Sequence, residues 1–324
     1  MATKDEILSL LLSCRGSYLS GEELAQALGV SRAAVWKGVK ALKEADFPIT
    51  AQQNRGYRLE PGLDMLTASG ILGLLDGGCP YKIDLRPCVT STNALLREQA
   101  ARGAAEGTVL ISGAQSQGRG RLGRRFFSPA DTGVYLSILL RPHWESPQQA
   151  LSLTTLAALA ACQAVTELGG RQAGIKWVND VFLDGKKVAG ILTEAALSME
   201  DGTLDYVVLG VGFNLYAPKE GFPEELADIA GAILSQPREN GKNALAAAFL
   251  NRFWALYQDP RGYAAQYRKS CIVLGRDILV VTPRETREAR AVDLDDRCGL
   301  IVEYPDGTRQ TLQAGEVRIR EKEG

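Results

Sequence analysis

The chain has 324 residues, of which 45% are hydrophobic and 23% are charged, as in a soluble globular protein of two or three domains. Its formal net charge of −1 argues against a general affinity for nucleic acid, so any DNA binding must come from a local surface. No apolar run is long enough to span a membrane, and the first residues lack the pattern of a signal peptide, so we expect a cytoplasmic protein without membrane contact.

Two residue types narrow the possible chemistry. Six scattered cysteines without a C-x-x-C pair predict free thiols rather than a metal site or a disulfide framework. The single histidine, His143, follows Arg-Pro at a predicted strand end and is expected on the surface. With one histidine in the chain, Ser-His-Asp and Cys-His catalysis are disfavoured.

The first 62 residues have the pattern of a small DNA-binding domain. Ser20 with Glu23 three residues later has capping-box spacing, and Ser31 begins a further helix with a basic outer face. Two short helices joined by a glycine turn, then a hairpin, predict a winged helix-turn-helix. A small helical protein-interaction domain is the alternative. The predicted DNA contacts are Ser31, Arg32, Lys37, Lys40 and, at the hairpin tip, Arg55.

From Tyr81 the chain alternates predicted strands and helices. Ser91, Thr92 and Asn93 cap a predicted helix that Gly103 ends, and a buried strand over 108–114 follows. Further on, a long helix is predicted over 147–168 and a strand over 205–214, with helices over 223–234 and 243–257. Short β runs after residue 270 predict a small barrel.

A basic, glycine-rich loop occupies residues 115–127. Glycines at 118, 120 and 123 alternate with arginines at 119, 121, 124 and 125, a composition that suits an anion. A dinucleotide fingerprint would continue into a helix, but an alternating strand over 134–140 follows instead. We therefore predict a mobile loop between two strands that closes on a phosphate; a flexible basic surface loop is the alternative for this pattern alone.

A second polar cluster is predicted around an Asp184-Gly185 turn. This turn joins a strand over 175–183 to another over 186–194, which predicts a hairpin. The hairpin brings Lys176, Asn179 and Asp180 near Lys187. Taken singly, these are ordinary surface and turn residues.

Five separated motifs together resemble the biotin protein ligases, and residues 1–60 resemble those members that also act as biotin operon repressors. The motifs are Ser91-Thr-Asn, Gln115 with the 118–125 loop, Lys176-Trp-Val-Asn-Asp, Lys187-Val-Ala-Gly and Gly210-Val-Gly-Phe-Asn. The resemblance implies an α+β chain of three domains. These are a winged helix-turn-helix over 1–62, a class II synthetase-like mixed-sheet catalytic domain over 63–270, and an SH3-like β-barrel over 271–324.

The resemblance also implies the reaction. Biotin and ATP, with Mg²⁺, form biotinyl-AMP, and biotin then passes to a lysine of the biotin carboxyl carrier protein of acetyl-CoA carboxylase or a related carboxylase. Biotinyl-AMP would also act as corepressor, so that a homodimer binds operator DNA. No protein nucleophile is needed, which agrees with the scarcity of histidine. A lipoate ligase and a non-enzymatic biotin-sensing regulator are the alternatives.

Site residues are carried over motif by motif. Arg121 and Lys187 are the catalytic candidates, and Asp180 is the magnesium candidate. The biotin-binding candidates are Ser91, Thr92, Asn93, Gln115, Gly118, Arg119, Gly120, Arg121 and Lys187. The ATP-binding candidates are Arg119, Arg121, Phe126, Lys176, Asn179 and Asn214. Two positions depart from the family pattern: Val178 replaces a usual proline, and Phe126 stands where relatives can carry tryptophan.

Overall fold

The computed structural model describes residues 3–14, 16–44, 47–60, 64–142, 150–197, 204–282, 285–313 and 318–321. His143 and the predicted helix start at Pro147 lie outside the described residues. The chain divides into two compact units, one formed by residues 1–74 with 237–243 and the other by 75–236 with 244–324. No helix within the described ranges is long and apolar enough to cross a membrane.

The first unit contains a helix-turn-helix followed by an antiparallel hairpin. Its elements are α1 (Thr3–Ser13), α2 (Gly21–Leu28), α3 (Arg32–Glu44), β1 (Ile49–Gln52), β2 (Gly56–Leu59) and α4 (Ala68–Leu72). The predicted capping box is confirmed, since Ser20 Oγ accepts from Glu23 N–H and the Glu23 carboxylate accepts from Ser20 N–H. Ile7, Leu24 and Leu42 lie in its apolar core.

The second unit is built on a seven-stranded mixed sheet. Its strands are β3 (Lys82–Arg86), β4 (Thr108–Ser112), β5 (Gly133–Leu140), β6 (Gly174–Lys176), β7 (Asp180–Leu183), β8 (Lys186–Leu197) and β9 (Leu204–Asn214). They lie in the order β3-β4-β5-β9-β8-β7-β6, in which β3 and β4 are parallel and the other neighbours antiparallel. The 115–127 loop therefore connects two neighbouring strands, as predicted.

The helices of this part of the chain are α5 (Thr92–Ala101), α6 (Ala150–Gly169), α7 (Glu224–Ala227), α8 (Gly241–Gln258) and α9 (Tyr263–Ser270). The prediction of one helix over 223–234 is wrong, because α7 is a single turn. Beyond it, Ile229 O accepts from Lys187 N–H and Gly231 N–H donates to Lys187 O. The residues after α7 thus form backbone hydrogen bonds with β8 instead of continuing the helix. Helices α4 and α9 were not predicted.

The prediction of one continuous strand over 175–183 is also wrong. The chain turns between β6 and β7, and Asn179 O accepts from Ile191 N–H at 2.9 Å. Trp177 is buried in this turn, and its indole N–H donates to Cys298 O at 2.9 Å. The turn brings Asn179 and Asp180 beside β8, as the predicted hairpin required.

The last part of the chain forms a five-stranded antiparallel sheet. Its strands are β10 (Asp277–Val281), β11 (Thr286–Leu294), β12 (Leu300–Glu303), β13 (Arg309–Leu312) and β14 (Arg318–Glu321), in the order β13-β12-β11-β10-β14. The short β runs predicted after residue 270 are therefore present, and they form one connected sheet.

Candidate functional site

A polar pocket lies where the N-terminus of α5 meets the 115–127 loop. Ser91 is the N-cap residue, and its Oγ accepts from Ala94 N–H at 3.4 Å. The Gln115 side chain binds the first turn, since its Oε1 accepts from Thr92 N–H at 2.8 Å. Gln115 Nε2 then donates to Ser128 Oγ at 3.0 Å. The helix start and the loop are thus held together by side-chain amide and hydroxyl groups.

Asn93, one of the biotin candidates, is already engaged by the protein. Its Nδ2 donates to Leu192 O at 3.2 Å and to Glu194 Oε2 at 2.8 Å, and its Oδ1 lies 2.6 Å from Ser137 Oγ. The structure therefore places Asn93 at the base of the pocket with both ends of its amide used. This arrangement fits a supporting role for its side chain better than direct ligand binding.

Glycines of β8 and β9 leave room at the pocket wall. A Cβ on Gly210 would overlap Asn93 Oδ1, and a Cβ on Gly212 would lie 2.5 Å from the Phe126 ring. A Cβ on Gly190 would lie 3.1 Å from Lys187 Nζ. These positions thus allow polar and aromatic side chains to approach the sheet backbone closely. The glycine spacing noted in the sequence has this steric origin.

The pocket is narrow, with a volume of about 20 Å³. It is lined by Ser91, Thr92, Asn93, Gln115, Arg119, Phe126, Gly190, Leu192, Gly210, Val211 and Gly212. Five predicted biotin residues are therefore brought together here. Phe126, predicted as an adenine contact, lies in this pocket too and packs edge-on against Tyr135, with ring centroids 6.3 Å apart. Burial raises the pKa of Tyr135 to about 12, so its hydroxyl is neutral at physiological pH.

A charged cluster adjoins the pocket on β7 and β8. Lys187 Nζ lies 2.6 Å from Asp180 Oδ1 and 5.9 Å from the centre of the Phe126 ring. Asp180 Oδ1 is buried, and the Lys187 ammonium group is its charged partner. Asn214 Nδ2 donates to Lys187 O at 3.5 Å, a contact at the distance limit. Phe126 thus separates the polar pocket from a lysine–aspartate pair.

The 115–127 loop folds back on itself and reaches this cluster. Gly120 N–H donates to Arg124 O at 2.8 Å and Phe126 N–H donates to Gly118 O at 2.9 Å. Arg121 Nη1 donates to Asn179 Oδ1 at 3.1 Å, and Asn179 Nδ2 donates to Ile191 O at 2.9 Å. The guanidinium predicted to hold a phosphate is therefore placed near Asn179, beside the lysine–aspartate pair.

Lys176 is placed differently from the other charged candidates. Its Nζ lies 5.4 Å from the centre of the Phe182 ring, and it pairs across the strands with Asp180. It does not line the polar pocket. In the part of the chain that the structure describes, no group of three or more His, Cys, Asp or Glu side chains is placed to hold a metal ion.

The predicted DNA-binding residues lie on α3 and the hairpin. Ser31 Oγ caps the helix by accepting from Ala34 N–H at 3.2 Å, and Arg32 pairs with exposed Glu22 at 3.5 Å. Lys40 Nζ lies 5.6 Å from the centre of the Trp36 ring. Trp36 is 56% exposed, which is unusual for an indole and was not predicted. Arg55 stacks over Tyr18, with its guanidinium 4.3 Å from the ring centre.

Ser137 and Glu194, which were not predicted from the sequence, complete the base of the pocket. Ser137 is fully buried on β5, between apolar neighbours. A serine in such an apolar strand was the available signal, because a buried polar group needs a partner. Glu194 gave no such signal.

The class of protein follows from comparison of this fold and site with known families. The model of the biotin/lipoate A/B protein ligase family matches residues 85–214, so the polar pocket and the charged cluster both fall in the matched region. An HTH domain model matches residues 3–58, and a biotin protein ligase C-terminal domain model matches residues 273–320.

Curated relatives extend the match to nearly the whole chain. The bifunctional ligase/repressor BirA of Bacillus subtilis is 31% identical over 319 residues, which is 96% of this chain and 97% of the relative. BirA of Escherichia coli is 28% identical over 320 residues, 97% of each chain. The biotin–[acetyl-CoA-carboxylase] ligase of Mycobacterium tuberculosis is 33% identical over 272 residues, 80% of this chain and 97% of the relative.

The chain therefore belongs to the biotin protein ligase family and has the helix-turn-helix domain of its bifunctional ligase/repressor members. The predicted family and enzyme class are confirmed. Among solved structures, the biotin protein ligase of Aquifex aeolicus in complex with biotin and ATP has a TM-score of 0.63 at 24% identity, covering 74% of this chain and 99% of that one. At this identity the likeness supports the fold.

Proposed function

We propose that the chain joins biotin to ATP, forming biotinyl-AMP and pyrophosphate, and then transfers biotin to a lysine of a biotin carboxyl carrier protein. One observation carries the proposal: a pocket lined largely by hydroxyl, amide and backbone groups lies beside Arg121 and, across the Phe126 ring, Lys187. The ureido ring of biotin is polar and uncharged, and it matches such a pocket. The biotin carboxylate and the phosphates of ATP are anions, and they match the two cations.

The pocket supplies hydrogen bonds for both kinds of ureido atom. Ser91 Oγ accepts from the helix backbone, which leaves its proton to donate to a ligand carbonyl. Gln115 Nε2 uses one proton on Ser128 and has a second. Neither proton has an acceptor among the residues that the structure describes. Together with Thr92 and the backbone near Arg119, these groups form our proposed ureido site.

The first chemical step brings two anions together. A biotin carboxylate oxygen bonds to the α-phosphorus of ATP while the bond from that phosphorus to the pyrophosphate oxygen breaks. Lys187 holds the carboxylate and the α-phosphate, and Arg121 closes on the phosphate side. Fixed cations of this kind lower the barrier without reorganising during the reaction. Asn179 and Asn214 lie beside Lys187 and Arg121 as nucleotide contacts.

In the second step the amine of the acceptor lysine attacks the acyl carbon and AMP leaves. No side chain of the ligase has to form a covalent bond. Water would destroy the mixed anhydride, so the loop that carries Arg121 has a protective role when it closes. The acceptor is the carrier protein of acetyl-CoA carboxylase or a related carboxylase.

Magnesium fits the site when it arrives with the nucleotide. Mg²⁺ is commonly bound by one or two carboxylates together with substrate phosphates. Asp180 offers one carboxylate, whose Oδ1 is buried against the Lys187 ammonium group. Lys187 Nζ, which lies 2.6 Å from this oxygen, would have to move partly away from it. We infer that Asp180 is the protein ligand and that the ion neutralises phosphate charge.

The N-terminal unit gives the proposal its second part, a repressor that responds to biotinyl-AMP. We infer a winged helix-turn-helix over 1–62, in which α3 enters the major groove and the β1–β2 hairpin contacts the backbone. Lys37 and Lys40 lie on α3, and Arg55 lies on the hairpin turn. A homodimer bound to a palindromic operator would use two such units. The remaining proposed domains are a class II synthetase-like domain over 63–270 and an SH3-like barrel over 271–324.

The test is pyrophosphate release with each of two acids. We expect release that depends on biotin and ATP, with lipoate giving less than about a hundredth of the rate because it lacks the ureido donors and acceptor. Release with lipoate and none with biotin would replace our assignment by a lipoate ligase. Release with neither, alongside biotin-dependent DNA binding, would indicate a non-enzymatic sensor.

A further inference from the structure

Below the polar pocket lies a chain of hydrogen bonds that the proposed reaction does not use directly. Ser137 is fully buried on β5. Its Oγ lies 2.6 Å from Asn93 Oδ1 and 2.8 Å from Thr92 Oγ1. Thr92 and Asn93 both line the pocket and are both buried, so Ser137 joins a hydroxyl and an amide at the pocket wall.

The orientation of the Asn93 amide is fixed from the far side. Its nitrogen lies 3.2 Å from Leu192 O and 2.8 Å from a Glu194 carboxylate oxygen, and both of these oxygens only accept. Glu194 is itself held by Arg97, with Nη1 and Oε1 2.9 Å apart. The amide nitrogen must therefore face Glu194, and the amide oxygen must face Ser137.

Counting protons then fixes the direction of the remaining bonds. Ser137 has one hydroxyl proton, and Asn93 Oδ1 can only accept, so that proton lies in the 2.6 Å contact. The hydroxyl oxygens of Ser137 and Thr92 are 2.8 Å apart. Because the single Ser137 proton is used on Asn93 Oδ1, the proton count assigns the proton in this contact to Thr92. The competing acceptor for that proton, Gln115 Oε1, is farther away at 3.2 Å and already accepts from Thr92 N–H at 2.8 Å.

With its proton directed at Ser137, the Thr92 hydroxyl presents lone pairs to the pocket. We propose that the relay Glu194–Asn93–Ser137 fixes Thr92 as a hydrogen-bond acceptor, which makes Ser137 a positioning residue that selects a ring bearing an N–H group. This inference rests on the proposed function, since it assigns the selectivity of the same ureido site. The donors at Ser91 and Gln115 lie in the same pocket, so it is complementary to a cyclic urea, with its carbonyl and N–H groups.

If Ser137 orients the Thr92 hydroxyl, its loss should affect ligands with and without a ring N–H differently, which a purely structural role would not do. A ring in which oxygen replaces the N–H group faces the Thr92 lone pairs with lone pairs of its own, so the acceptor stays unpaired. Removing the Ser137 hydroxyl leaves the Thr92 proton with the longer contact to Gln115 Oε1 at 3.2 Å, which also accepts from Thr92 N–H, so the proton is held less firmly and can rotate toward the pocket. The affinity for the ligand with the N–H group then falls, while the affinity for the oxygen analogue changes little.

The experiment compares Ser137→Ala with wild type, using biotin and its two cyclic carbamate analogues, each with one ring N–H replaced by oxygen. Biotin-dependent pyrophosphate release gives KM for each acid and for ATP. We expect Ser137→Ala to raise the KM for biotin about tenfold, the scale of one buried hydrogen bond. The KM for ATP should change less than about twofold, and so should the KM for whichever carbamate binds wild type more weakly. The selectivity for biotin over that carbamate should therefore fall about tenfold.

Thr154→Val is the matched control, because Thr154 also has a buried hydroxyl in a hydroxyl pair, 2.7 Å from Thr193 Oγ1, but does not line the pocket. It should leave selectivity unchanged. Glu194→Ala is a second test if Ser137→Ala fails to fold. It leaves Leu192 O to orient Asn93, so we expect a two- to threefold loss of selectivity, smaller than for Ser137→Ala.

The outcomes separate the two proposals. Unchanged selectivity in a folded Ser137→Ala enzyme, or in Glu194→Ala where that variant alone folds, overturns the relay while the ligase function stands. An equal loss for biotin, the carbamate and ATP also overturns it, because that result indicates general disruption. Absence of biotin-dependent release in wild type overturns the proposed function itself.

Discussion

Replacing Lys187 by alanine tests the central electrostatic claim. Its Nζ is 2.6 Å from Asp180 Oδ1 and lies behind the Phe126 ring that borders the pocket. A fixed cation about 4 Å from a developing anion contributes on the order of 4 kcal/mol at an effective dielectric of about 20. Loss of one electrostatic donor typically costs about 2.7–4 kcal/mol of transition-state stabilisation. We therefore expect kcat/KM for biotin-dependent pyrophosphate release to fall about 10²–10³-fold.

Lys186→Ala is the matched control for this variant. Lys186 precedes Lys187 on β8, but its Nζ donates to Asp228 O at 2.6 Å and to Ala227 O at 3.2 Å, away from the pocket. We expect its activity to stay within about threefold of wild type, as for a surface substitution. Lys187→Ala activity within that same range would refute the role of Lys187.

The same variant should also be less stable, and a double substitution tests the origin of that loss of stability. Removing Lys187 leaves the Asp180 carboxylate without its cation, at a partly buried position. Adding Asp180→Asn removes that charge, so the melting temperature should recover. Activity should stay low, and since Asp180 is also the proposed magnesium ligand, only a recovery of activity would be informative. If activity recovered with stability, the loss would be one of folding rather than of catalysis.

Three further predictions concern other parts of the molecule. Arg121→Ala removes the contact to Asn179 Oδ1 at 3.1 Å, so biotinyl-AMP should dissociate about tenfold faster in a rapid-dilution assay; unchanged dissociation would contradict loop closure. Replacing Lys37 and Lys40 by alanine should reduce the salt dependence of DNA binding by about two phosphate contacts in fluorescence anisotropy, with ligase activity retained; an unchanged slope would place the DNA elsewhere. Burial raises the pKa of three thiols to about 11, so they should react with a thiol reagent only after unfolding. Because the folded protein holds these protons more tightly than the unfolded chain, the free energy of unfolding should fall as pH rises from about 9 to 11. The three thiols are those of Cys162, Cys271 and Cys298, and rapid labelling of all six cysteines in the native protein would contradict the prediction.

Local patterns predicted the elements whose signals are local. The capping box at Ser20 and the N-cap at Ser91 both form as their spacing indicated. The Asp184-Gly185 turn joins β7 to β8, with positive φ at both residues, as a tight hairpin requires. In each case the residues that decide the conformation lie within a few positions of one another.

The errors occur where distant residues decide the conformation. Pro223 and the two glutamates after it favour a helix, but backbone pairing between Ile229 and Lys187 ends the helix after one turn. The β6–β7 turn is fixed from 121 residues away, by the bond from Trp177 Nε1 to Cys298 O. No periodicity within the segment contains that information.

The candidate site shows the same division between residue type and geometry. Motifs predicted which hydroxyl, amide and charged groups belong to it, but the hydrogen-bond partners of Asn93 could not be predicted. Its amide contacts Glu194, 101 residues away, and its oxygen meets Ser137, 44 residues away. The sheet order brings Ser137 and Glu194 close by placing β5, β9 and β8 side by side, and Asn93 reaches both from the first turn of α5.

That sheet order also explains why Gly210 has to be glycine. Gly210 lies on β9 opposite Ser137 on β5 and opposite Leu192 on β8. A Cβ there would overlap Asn93 Oδ1, the atom that receives the Ser137 proton. An alanine would push the Asn93 amide away and leave Ser137 without its acceptor, so the direction of the Thr92 hydroxyl would no longer be set. The glycine motif on β9 and the hydroxyl motif on α5 therefore serve one hydrogen-bond pattern, in which the glycine supplies space and the hydroxyls supply direction.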